Sequence, residues 1–521
     1  MRTTKTTGAA ATVVAAALCL SACSSSGDTG QNQQTSEPRS GGQLVVASLP
    51  TIIDPLGSTS RTNWLVAASA CEGLFANDSK LSVQSGLLES WTYDPTTLRY
   101  DLALRSGVKF HNGETLTSKD VVASLERYRA NSSGAQFNKL VSQITAVDDQ
   151  KLTITVKQPT GAIPALLATP DTPAYIMPAS LLTGLAPDKK VDNIVCTGPY
   201  KVDSFAADQQ AVLSRFEDYN SRSDATDGAA GKKTAYADSI KFVPYNSANT
   251  LNEVRTNAVD IAPQFVSLDQ LAVYEADPAL TPKIQEGGGF SLIKFNLKDG
   301  LMTNKTLRQA VLNAVDPKAI ATQTLGGLDH YKDSSSLFPE GSEWYSEEGQ
   351  DVFKNKDPKA AADLLKQAGY DGTPVRLLYR PESDTYGPLL RQQLEAAGFK
   401  VDMKATDAAT FTATRTDPKA WDMFITDGTK YSDPLTVPFI ADTFPGWWTS
   451  EEKTKLMAQV TAGATTAERQ PAWDKLQANI WQDLPFIKLG TEPRLAIIGN
   501  RVSGFESTQT IRGFYNIWLT S

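Results

Sequence analysis

The sequence predicts an α/β fold with more than one domain, and three observations support this prediction. Strand and helix patterns alternate along residues 357–427, as in a sheet covered by helices. A strand, a turn and a helix pattern also follow one another at 87–127. The chain has 521 residues, whereas single hydrophobic cores stop growing near about 250–300 residues. We therefore expect mixed sheets flanked by helices, in two or three domains.

The first 22 residues have the pattern of an export signal. Arg2 and Lys5 form a short basic region, and the apolar run from Gly8 to Leu20 is too short to span a bilayer. The small residues before Cys23 resemble a bacterial lipobox, in which the cysteine is diacylated and becomes the new N-terminus. We predict lipidation of Cys23. The alternative is an ordinary cleavable signal followed by an incidental cysteine.

Residues 23–42 are predicted to be a flexible tether, because Ser, Gly, Gln, Thr and Asp dominate them. A coil of this length spans about 25 Å r.m.s.. Two acyl chains suffice for stable membrane anchoring, which a single chain does not provide. We therefore expect an extracytoplasmic protein whose folded part is held near the bacterial cell membrane by lipid.

Charge and cysteine content narrow the function classes. Loss of Arg2 and Lys5 with the signal changes the net charge from −8 to −10, which argues against binding to nucleic acid or to anionic lipid. Cys19 leaves with the signal and Cys23 takes the lipid, so Cys71 and Cys196 remain. In an oxidising exterior these two are candidates for a disulfide. The alternative is two separate buried thiols.

The segment Leu87–Arg127, which we call the signature segment, contains the most regular local pattern. Leu98–Leu104 alternates apolar and polar residues, as in a strand with one buried face, and Val108–Phe110 is a second short strand. Thr117 and Asp120 form a carboxylate version of a capping box before an amphipathic helix. Because the segment contains no nucleophile or ligand cluster, its residues by themselves indicate a scaffold.

The signature segment closely resembles the one that identifies the family 5 extracellular solute-binding proteins, the dipeptide and oligopeptide receptors of ABC importers. This resemblance implies a two-lobed, periplasmic-binding-protein-like fold of type II, with an extra subdomain and a ligand cleft between the lobes. The matching positions are Trp91, Leu104, Arg105, Gly107 to His111, Gly113, Leu116, Thr117, Asp120 to Val122 and Arg127.

Elements before residue 289 are predicted from local patterns. Gln43–Ala47 is a strand, and Val141–Val147 and Leu152–Val156 form a hairpin. Val195–Val202 resembles a GTGPY element of the family, with Cys196 in place of its first glycine. The polar stretch 218–235 is expected to be an exposed insertion.

The second half of the chain carries clear cap signals. Asn304 caps a helix that Asp316-Pro317 ends, and Pro358 begins another. Further elements are the strands Val375–Tyr379, Val401–Lys404 and Met423–Thr426 and the helices Tyr386–Ala397 and Thr466–Trp481. With the resemblance, these patterns place lobe I at 43–72, 190–288 and 484–521, the extra subdomain at 73–189 and lobe II at 289–483.

Two loops are predicted to bind the ligand, because ligands of open α/β sheets lie beyond the carboxyl ends of the strands. One loop follows Tyr379 and the other follows Thr426. The second resembles a family segment that ends in Asp-Pro and, in peptide receptors, carries a tryptophan and an aspartate that pairs with the ligand's α-ammonium. Asp433-Pro434 is retained, but Asp427 fills the tryptophan's place and Lys430 the aspartate's. The usual α-ammonium contact is then lost, unless Asp427 reaches in from a shifted loop. The predicted ligand-binding residues in this loop are Asp427, Thr429, Lys430, Tyr431 and Asp433.

Three further features bear on the ligand. Lys430 suits a carboxylate, a phosphate or another anionic group, unless it points to solvent. Arg380 directly follows a strand and suits a carboxylate, as an arginine does in some dipeptide receptors; the alternative is a surface arginine. Trp447 and Trp448 lie in a Gly-Pro loop, where one of them would line the cleft or both would pack.

Enzyme motifs are absent from the sequence. It contains no G-x-S-x-G, and the S-x-x-K tetrads at Ser106, Ser291 and Ser450 lack an accompanying K-T-G or S-D-N. Only two histidines occur, His111 and His330, without H-E-x-x-H. We therefore predict no catalytic residues, no metal site and no cofactor.

The resemblance implies a monomeric substrate-binding lipoprotein of an ABC import system, which captures di- or oligopeptides and delivers them to a permease with its ATPase. One alternative is a receptor for a non-peptide solute, such as a sugar, an opine-like compound, a metal chelate, haem or glutathione. A secreted hydrolase and a sensor that signals occupancy to a membrane partner are alternatives from other classes.

Overall fold

The structure is a computed structural model that describes residues 37–57, 60–170, 172–186, 189–263, 268–354, 356–381, 384–506 and 512–520. The predicted signal over 1–22, Cys23 and the tether as far as residue 36 lie outside the described residues. From Pro38 onward the chain forms a single folded unit.

The strands, numbered in chain order, are β1 (Gln43–Ala47), β2 (Phe75–Asn77), β3 (Val83–Ser85), β4 (Leu88–Asp94), β5 (Arg99–Leu104), β6 (Val141–Ala146), β7 (Lys151–Val156), β8 (Tyr200–Ala206), β9 (Gln210–Arg215), β10 (Ser239–Val243), β11 (Ile261–Ala262), β12 (Leu280–Phe295), β13 (Val375–Tyr379), β14 (Val401–Ala405), β15 (Met423–Gly428), β16 (Phe486–Lys488), β17 (Glu492–Gly499), β18 (Val502–Ser503) and β19 (Trp518–Leu519).

The α-helices are α1 (Arg61–Ala70), α2 (Ser118–Ala130), α3 (Ala135–Leu140), α4 (Ile163–Leu167), α5 (Ala179–Leu182), α6 (Thr250–Arg255), α7 (Leu271–Glu275), α8 (Lys305–Ala314), α9 (Pro317–Thr324), α10 (Gln350–Lys354), α11 (Pro358–Gln367), α12 (Gly387–Ala396), α13 (Ala408–Thr414), α14 (Glu451–Ala462) and α15 (Thr466–Asp483).

The largest sheet runs through both halves of the molecule, in the order β14-β13-β15-β12-β17-β11-β1-β10-β9-β8, with β16 also paired to β12. The long strand β12 joins the halves. Its first part pairs with β17 from Leu280 to Gln285, and its last part pairs with β15 from Phe290 to Phe295. The register shifts between Gln285 and Gly289, where the sequence has three consecutive glycines.

The second connection between the halves lies between β16 and β17. Phe486–Lys488 still pairs with the last part of β12, whereas β17 pairs with its first part and with β11. The chain therefore crosses back between Lys488 and Glu492, a few residues after the predicted boundary at 484. Two strand connections side by side are the geometry of a hinge.

The predicted subdomain region contains a separate antiparallel sheet in the order β4-β5-β7-β6. The hairpin prediction is confirmed by the pairing of β6 with β7. The capping prediction is also confirmed, because the Asp120 carboxylate accepts hydrogen bonds from the Thr117 backbone N–H and hydroxyl, both at 2.8 Å. Its other oxygen accepts from the Ala179 N–H at 2.8 Å, so this carboxylate also ties α2 to α5.

The signature segment contacts the turn around Cys196 through His111. The His111 ring lies 3.0 Å from the Gly198 carbonyl oxygen through Nε2, and Nδ1 accepts a hydrogen bond from the Cys196 N–H at 3.3 Å. The structure joins Cys196 to Cys71, the residue that follows α1, in a disulfide. The loop that this bond closes contains the four-stranded sheet.

The prediction of an exposed insertion at 218–235 holds for residues 223–227, which are exposed, but not for most of the rest of the stretch. Gly228, Ala230 and Gly231 are buried, and Lys233 forms an ion pair at 3.3 Å with the buried Glu72. Because polar side chains here bond to other polar groups of the fold, their hydrophilic composition does not indicate exposure.

Alternate residues of the second-half strands enter different cores. Leu377 and Ile425 pack against α8, α11 and α12, whereas Leu378 and Phe424 pack against Phe411 of α13 and Trp421. The caps there are as predicted: Asn304 accepts from the Thr306 N–H, and Asp357 accepts from the Lys359 N–H. Local signals thus set the helices that cover this sheet.

Candidate functional site

The two loops predicted to bind the ligand meet in the structure. β13 and β15 are parallel neighbours, with Leu377 beside Met423 and Leu378 beside Phe424, so their carboxyl ends lie at the same edge. Arg380 follows β13, and Asp427 lies near the end of β15. The Arg380 Nη2 atom is 3.5 Å from Asp427 Oδ2.

Arg380 is held by an intramolecular partner and is not a surface arginine. The buried Asp384 carboxylate accepts from Arg380 Nε at 3.2 Å, from Nη2 at 2.8 Å and from its backbone N–H at 2.7 Å. The guanidinium also lies 4.8 Å from the centre of the Phe411 ring. A carboxylate ligand would therefore share Arg380 with Asp384 and Asp427.

A second carboxylate lies on the same face of the sheet as Asp427. In the register of β12, Ser291 pairs with Asp427 and Gly289 pairs with Glu492. Paired residues share a face, and residues two apart on a strand share a face. Burial, and then the neighbouring Asp427 charge, raise the pKa of Glu492 to about 7.

Tyr386 completes this group from the residue before α12. Its side chain is only 5 % exposed, and the described residues offer its hydroxyl no hydrogen-bond partner within normal geometry. Burial, followed by the Asp427 charge, raises the pKa of Tyr386 well above its usual value. We call Arg380, Asp384, Tyr386, Asp427 and Glu492 the crossing cluster, because they lie where the chain passes between the halves.

Sequence reasoning missed Glu492, Tyr386 and Asp384. Asp384 follows Arg380 at a spacing of four, and Tyr386 precedes the Gly387-Pro388 start of a helix, which are weak local signals. Glu492 is brought in by pairing with a residue about 200 positions earlier in the chain. The triple glycine at 287–289 was the available signal, because glycines within a strand mark a bulge or a close approach.

Lys430 and Tyr431 are buried. Lys430 is 6 % exposed, so the alternative that it points to solvent is wrong. Tyr431 packs edge-on against Phe290 and Phe439, and its hydroxyl oxygen accepts from the Thr429 N–H at 3.3 Å. Thr429 and Tyr431 thereby support each other in the loop that follows β15.

The structure places Asp433 in the interior and not at an accessible surface, which corrects its assignment as a ligand contact. Arg469 donates to both of its carboxylate oxygens, at 2.7 and 2.8 Å, and both side chains are 2 % exposed. Asp433 also accepts from the Leu435 N–H at 2.9 Å. The retained Asp-Pro pair therefore anchors the loop onto α15.

The tryptophan pair lies near the other end of β15. The N–H of Leu297, two residues after β12, donates to the Gly446 carbonyl at 3.1 Å, and β12 ends where Phe295 pairs with Met423. Met423 is four residues before Asp427, or about 13 Å along a strand. The structure therefore does not bring the tryptophans into the crossing cluster.

Each tryptophan of the pair packs against other residues. Trp447 stacks on Trp421 with ring centres 5.8 Å apart, and Lys298 Nζ lies 5.3 Å from its ring centre. Trp448 is 1 % exposed, and its indole N–H donates to Asp483 Oδ2 at 3.0 Å. Of the two alternatives for this pair, the contacts favour packing.

The buried Lys488 lies on the face of the sheet opposite the cluster. Lys488 pairs with Leu292, and its ammonium donates to the Ser334 carbonyl and the Thr491 hydroxyl, both at 2.7 Å. Burial lowers the pKa of Lys488 to about 7.

Within the described ranges we find no grouping of His, Cys, Asp and Glu that could hold a metal ion, and no helix there is long and apolar enough to cross a membrane.

Comparison with known proteins decides the family. The model of the bacterial extracellular solute-binding proteins, family 5 (middle), matches residues 82–446. The chain belongs to this family. A probable peptide ABC transporter periplasmic-binding protein, y4tO of Sinorhizobium fredii (strain NBRC 101917 / NGR234), is 26% identical over 462 residues, which cover 84% of this chain and 86% of that protein.

Solved structures share the fold. The oligopeptide-binding protein AppA of Bacillus subtilis, in complex with a nonapeptide, superposes with a TM-score of 0.76 at 19% identity, over 93% of this chain and 100% of AppA. AgaA of A. tumefaciens R10, in complex with agropinic acid, superposes with a TM-score of 0.76 at 22% identity, over 92% of this chain and 99% of AgaA. The family 5 member described here thus has the two-lobed periplasmic-binding-protein fold.

Proposed function

We propose that this protein is the substrate-binding lipoprotein of an ABC import system, which captures di- or oligopeptides between its lobes as a monomer and delivers them to a permease with its ATPase. The family match supports the transport role. The observation that carries the proposal is the crossing cluster, which gathers charged groups from both predicted ligand loops where the two halves are joined. The names of the relative and of AppA both refer to peptides.

The mechanism needs no covalent chemistry. β12 and the crossing between Lys488 and Glu492 connect the two halves, and bending at these connections would open and close the cleft. A ligand shifts this equilibrium only by its difference in affinity for the two states. Groups that reach the ligand from both sides of the crossing contribute most to this difference, because only closure assembles them.

Native mass spectrometry of the protein as purified tests the ligand class. We expect a set of bound masses that fragment as short peptides. A defined peptide at 100 times its dissociation constant should then stabilise the protein by about 2.7 kcal/mol against thermal unfolding. Steady release of products from peptide, ester or glycoside substrates would contradict the proposal and favour a hydrolase.

A non-peptide solute is the second candidate. Two observations favour it: Lys430 fills the place of the aspartate that pairs with the α-ammonium in peptide receptors, and AgaA was solved with agropinic acid. A single bound species that yields no amino acids on hydrolysis would replace the peptide assignment. The transport role would remain.

The lipid anchor is tested in the full-length chain. We expect wild-type protein expressed in a bacterial host to sediment with membranes and to incorporate a labelled fatty acid. Cys23→Ala should abolish the label and release the protein from the membrane fraction, because a coil of polar residues gives no anchoring by itself. Cys19→Ala, which changes a residue within the predicted signal, is the matched control and should keep the label.

A further inference from the structure

Asp427 and Glu492 approach the same face of the sheet from opposite sides of β12. Asp427 pairs with Ser291 on one side, and Glu492 pairs with Gly289 on the other. The Asp427 side chain is 44% exposed, and Glu492 is partly exposed. The Asp427 carboxylate is therefore open to a solute, whereas the Glu492 carboxylate lies deeper in the protein.

The charges on this face do not balance. The acidic groups are Asp384, Asp427 and Glu492, and the basic groups are Arg380 and Arg494. Asp384 engages Arg380 through two side-chain donors, and Arg494 Nη2 lies 3.0 Å from the position that a Cβ atom on Gly289 would occupy. One carboxylate remains in excess on this face. Lys488 lies on the opposite face, donates to Ser334 and Thr491, and acts on Glu492 only through its charge.

The hydroxyl of Tyr386 indicates that a ligand group belongs here. It is buried without a partner in normal geometry among the described residues, and the only side-chain hydroxyl that acts on it is that of Ser291. The charges of Asp427, Glu492 and Asp384 all reach it. A buried hydroxyl without a partner carries an uncompensated desolvation cost. A ligand donor between the two carboxylates would satisfy it.

We propose that the carboxylates of Asp427 and Glu492, together with the Tyr386 hydroxyl oxygen, form a subsite that holds an ammonium group of the ligand. This inference rests on the proposed function and identifies the ligand group as the α-ammonium of a peptide. An ammonium has three N–H donors, which matches two carboxylates and one hydroxyl. In peptide receptors of the family an aspartate at the position of Lys430 pairs with the α-ammonium. The proposed subsite would take over this role at the end of β15.

A proton should leave the protein when this subsite fills. Without a ligand the pKa of Glu492 is about 7, and the titratable or charged groups whose charges couple to it are Asp427, Arg494, Lys488, Tyr386 and Tyr331. An ammonium beside the carboxylate favours its charged form and lowers its pKa. Near pH 7 we therefore expect net release of protons when the ligand binds.

The experiment uses two synthetic libraries of di- to pentapeptides without Lys, Arg or His, one with free N-termini and one N-acetylated. Binding to the full-length protein is measured by native mass spectrometry, and the tightest binders by titration calorimetry in two buffers of different ionisation enthalpy. We expect the acetylated forms to bind at least about tenfold more weakly. Proton release should accompany binding of the free forms.

Isosteric variants assign the effect to residues. Asp427→Asn and Glu492→Gln should each reduce the preference for free N-termini, and Glu492→Gln should reduce proton release. Asp402→Asn and Glu395→Gln, at exposed positions away from the cluster, are matched controls and should change neither quantity. If one variant does not fold, as judged by its thermal transition, the other carries the test.

The outcomes separate this inference from the proposed function. If neither library binds, peptide capture is contradicted. If both libraries bind equally to wild type, or if the variants keep both the preference and the proton release, peptide capture stands and the ammonium subsite is contradicted.

Discussion

The signature segment and the crossing cluster use polar residues in opposite ways. In the signature segment, the buried carboxylate makes its hydrogen bonds within the fold: Asp120 accepts from Thr117 and Ala179. Arg127 also donates to the Ala186 carbonyl at 3.2 Å, although the Nε atoms of Arg105 and Arg127 have no described partner. In the crossing cluster, like charges lie close together, and the Tyr386 hydroxyl has no described partner in normal geometry. Residues that identify the family thus stabilise the fold, whereas residues that are poorly satisfied without a ligand suit recognition.

Removing the disulfide should have the largest effect on stability. The bond joins Cys71 to Cys196 across a separation of 125 residues, and loop entropy alone predicts a loss of up to about 4–5 kcal/mol for the double variant Cys71→Ser, Cys196→Ser. Chemical denaturation measures this loss, and a thiol count on the denatured wild type is the control. Two free thiols in the wild type would contradict the disulfide. Packing alone would then stabilise this part of the fold.

Asp433→Asn tests whether part of the ligand loop behaves as scaffold. The change leaves Arg469 buried without its charged partner, which costs about 3–5 kcal/mol for a buried pair. Glu395→Gln, which breaks the exposed pair of Glu395 with Arg391, should cost less than about 1 kcal/mol. Equal losses for the two variants would contradict a structural role for Asp433, and so would loss of peptide binding without loss of stability.

Asp120→Ala tests the signature segment directly. The change removes the acceptor of three hydrogen bonds, so we expect a loss of about 1–3 kcal/mol in the free energy of unfolding and unchanged ligand preference. Asp149→Ala, at an exposed position in the β6–β7 turn, is the control and should change stability little. A shift in ligand preference for Asp120→Ala would contradict the view that the signature segment stabilises the fold without contributing to ligand recognition.

The smallest effect concerns pH. Burial lowers the pKa of His111 from 6.5 to about 4, and its Nδ1 must stay unprotonated to accept from the Cys196 N–H. The unfolded chain binds this proton at a higher pH than the folded protein. The stability contribution of His111 is therefore complete above about pH 6.5 and is lost as the pH falls toward 4. Titration of its ring signals by NMR should show no midpoint above about pH 5, and a midpoint near 6.5 would contradict the buried contacts.

Prediction from the sequence worked where a signal and its effect lie within a few residues. The cap at Asn304, the box at Thr117 and Asp120, the hairpin at 141–156 and the strand Val375–Tyr379 are confirmed. These features depend on local hydrogen bonds and on side-chain periodicity. The meeting of the Arg380 and Asp427 loops was also predictable, because it follows from the rule for carboxyl ends of parallel strands.

Partner choice was not predictable in the same way. Asp433 looked like a ligand contact because its motif resembles a binding loop, yet its partner Arg469 lies 36 residues later. The stretch 218–235 looked exposed because it is polar, yet Lys233 reaches the buried Glu72 across 161 residues.

By itself the sequence determined the family, the α/β elements and the two loops at which the ligand was to be sought. Only the tertiary structure decided which polar side chains the protein satisfies and which, among the described residues, lack a hydrogen-bond partner. The physical reason is that the charge, burial and pKa of a group depend on neighbours brought together by strand pairing. Glu492 belongs to the crossing cluster because β17 pairs with β12 at Gly289. Asp433 lies outside the cluster, in a buried ion pair with Arg469.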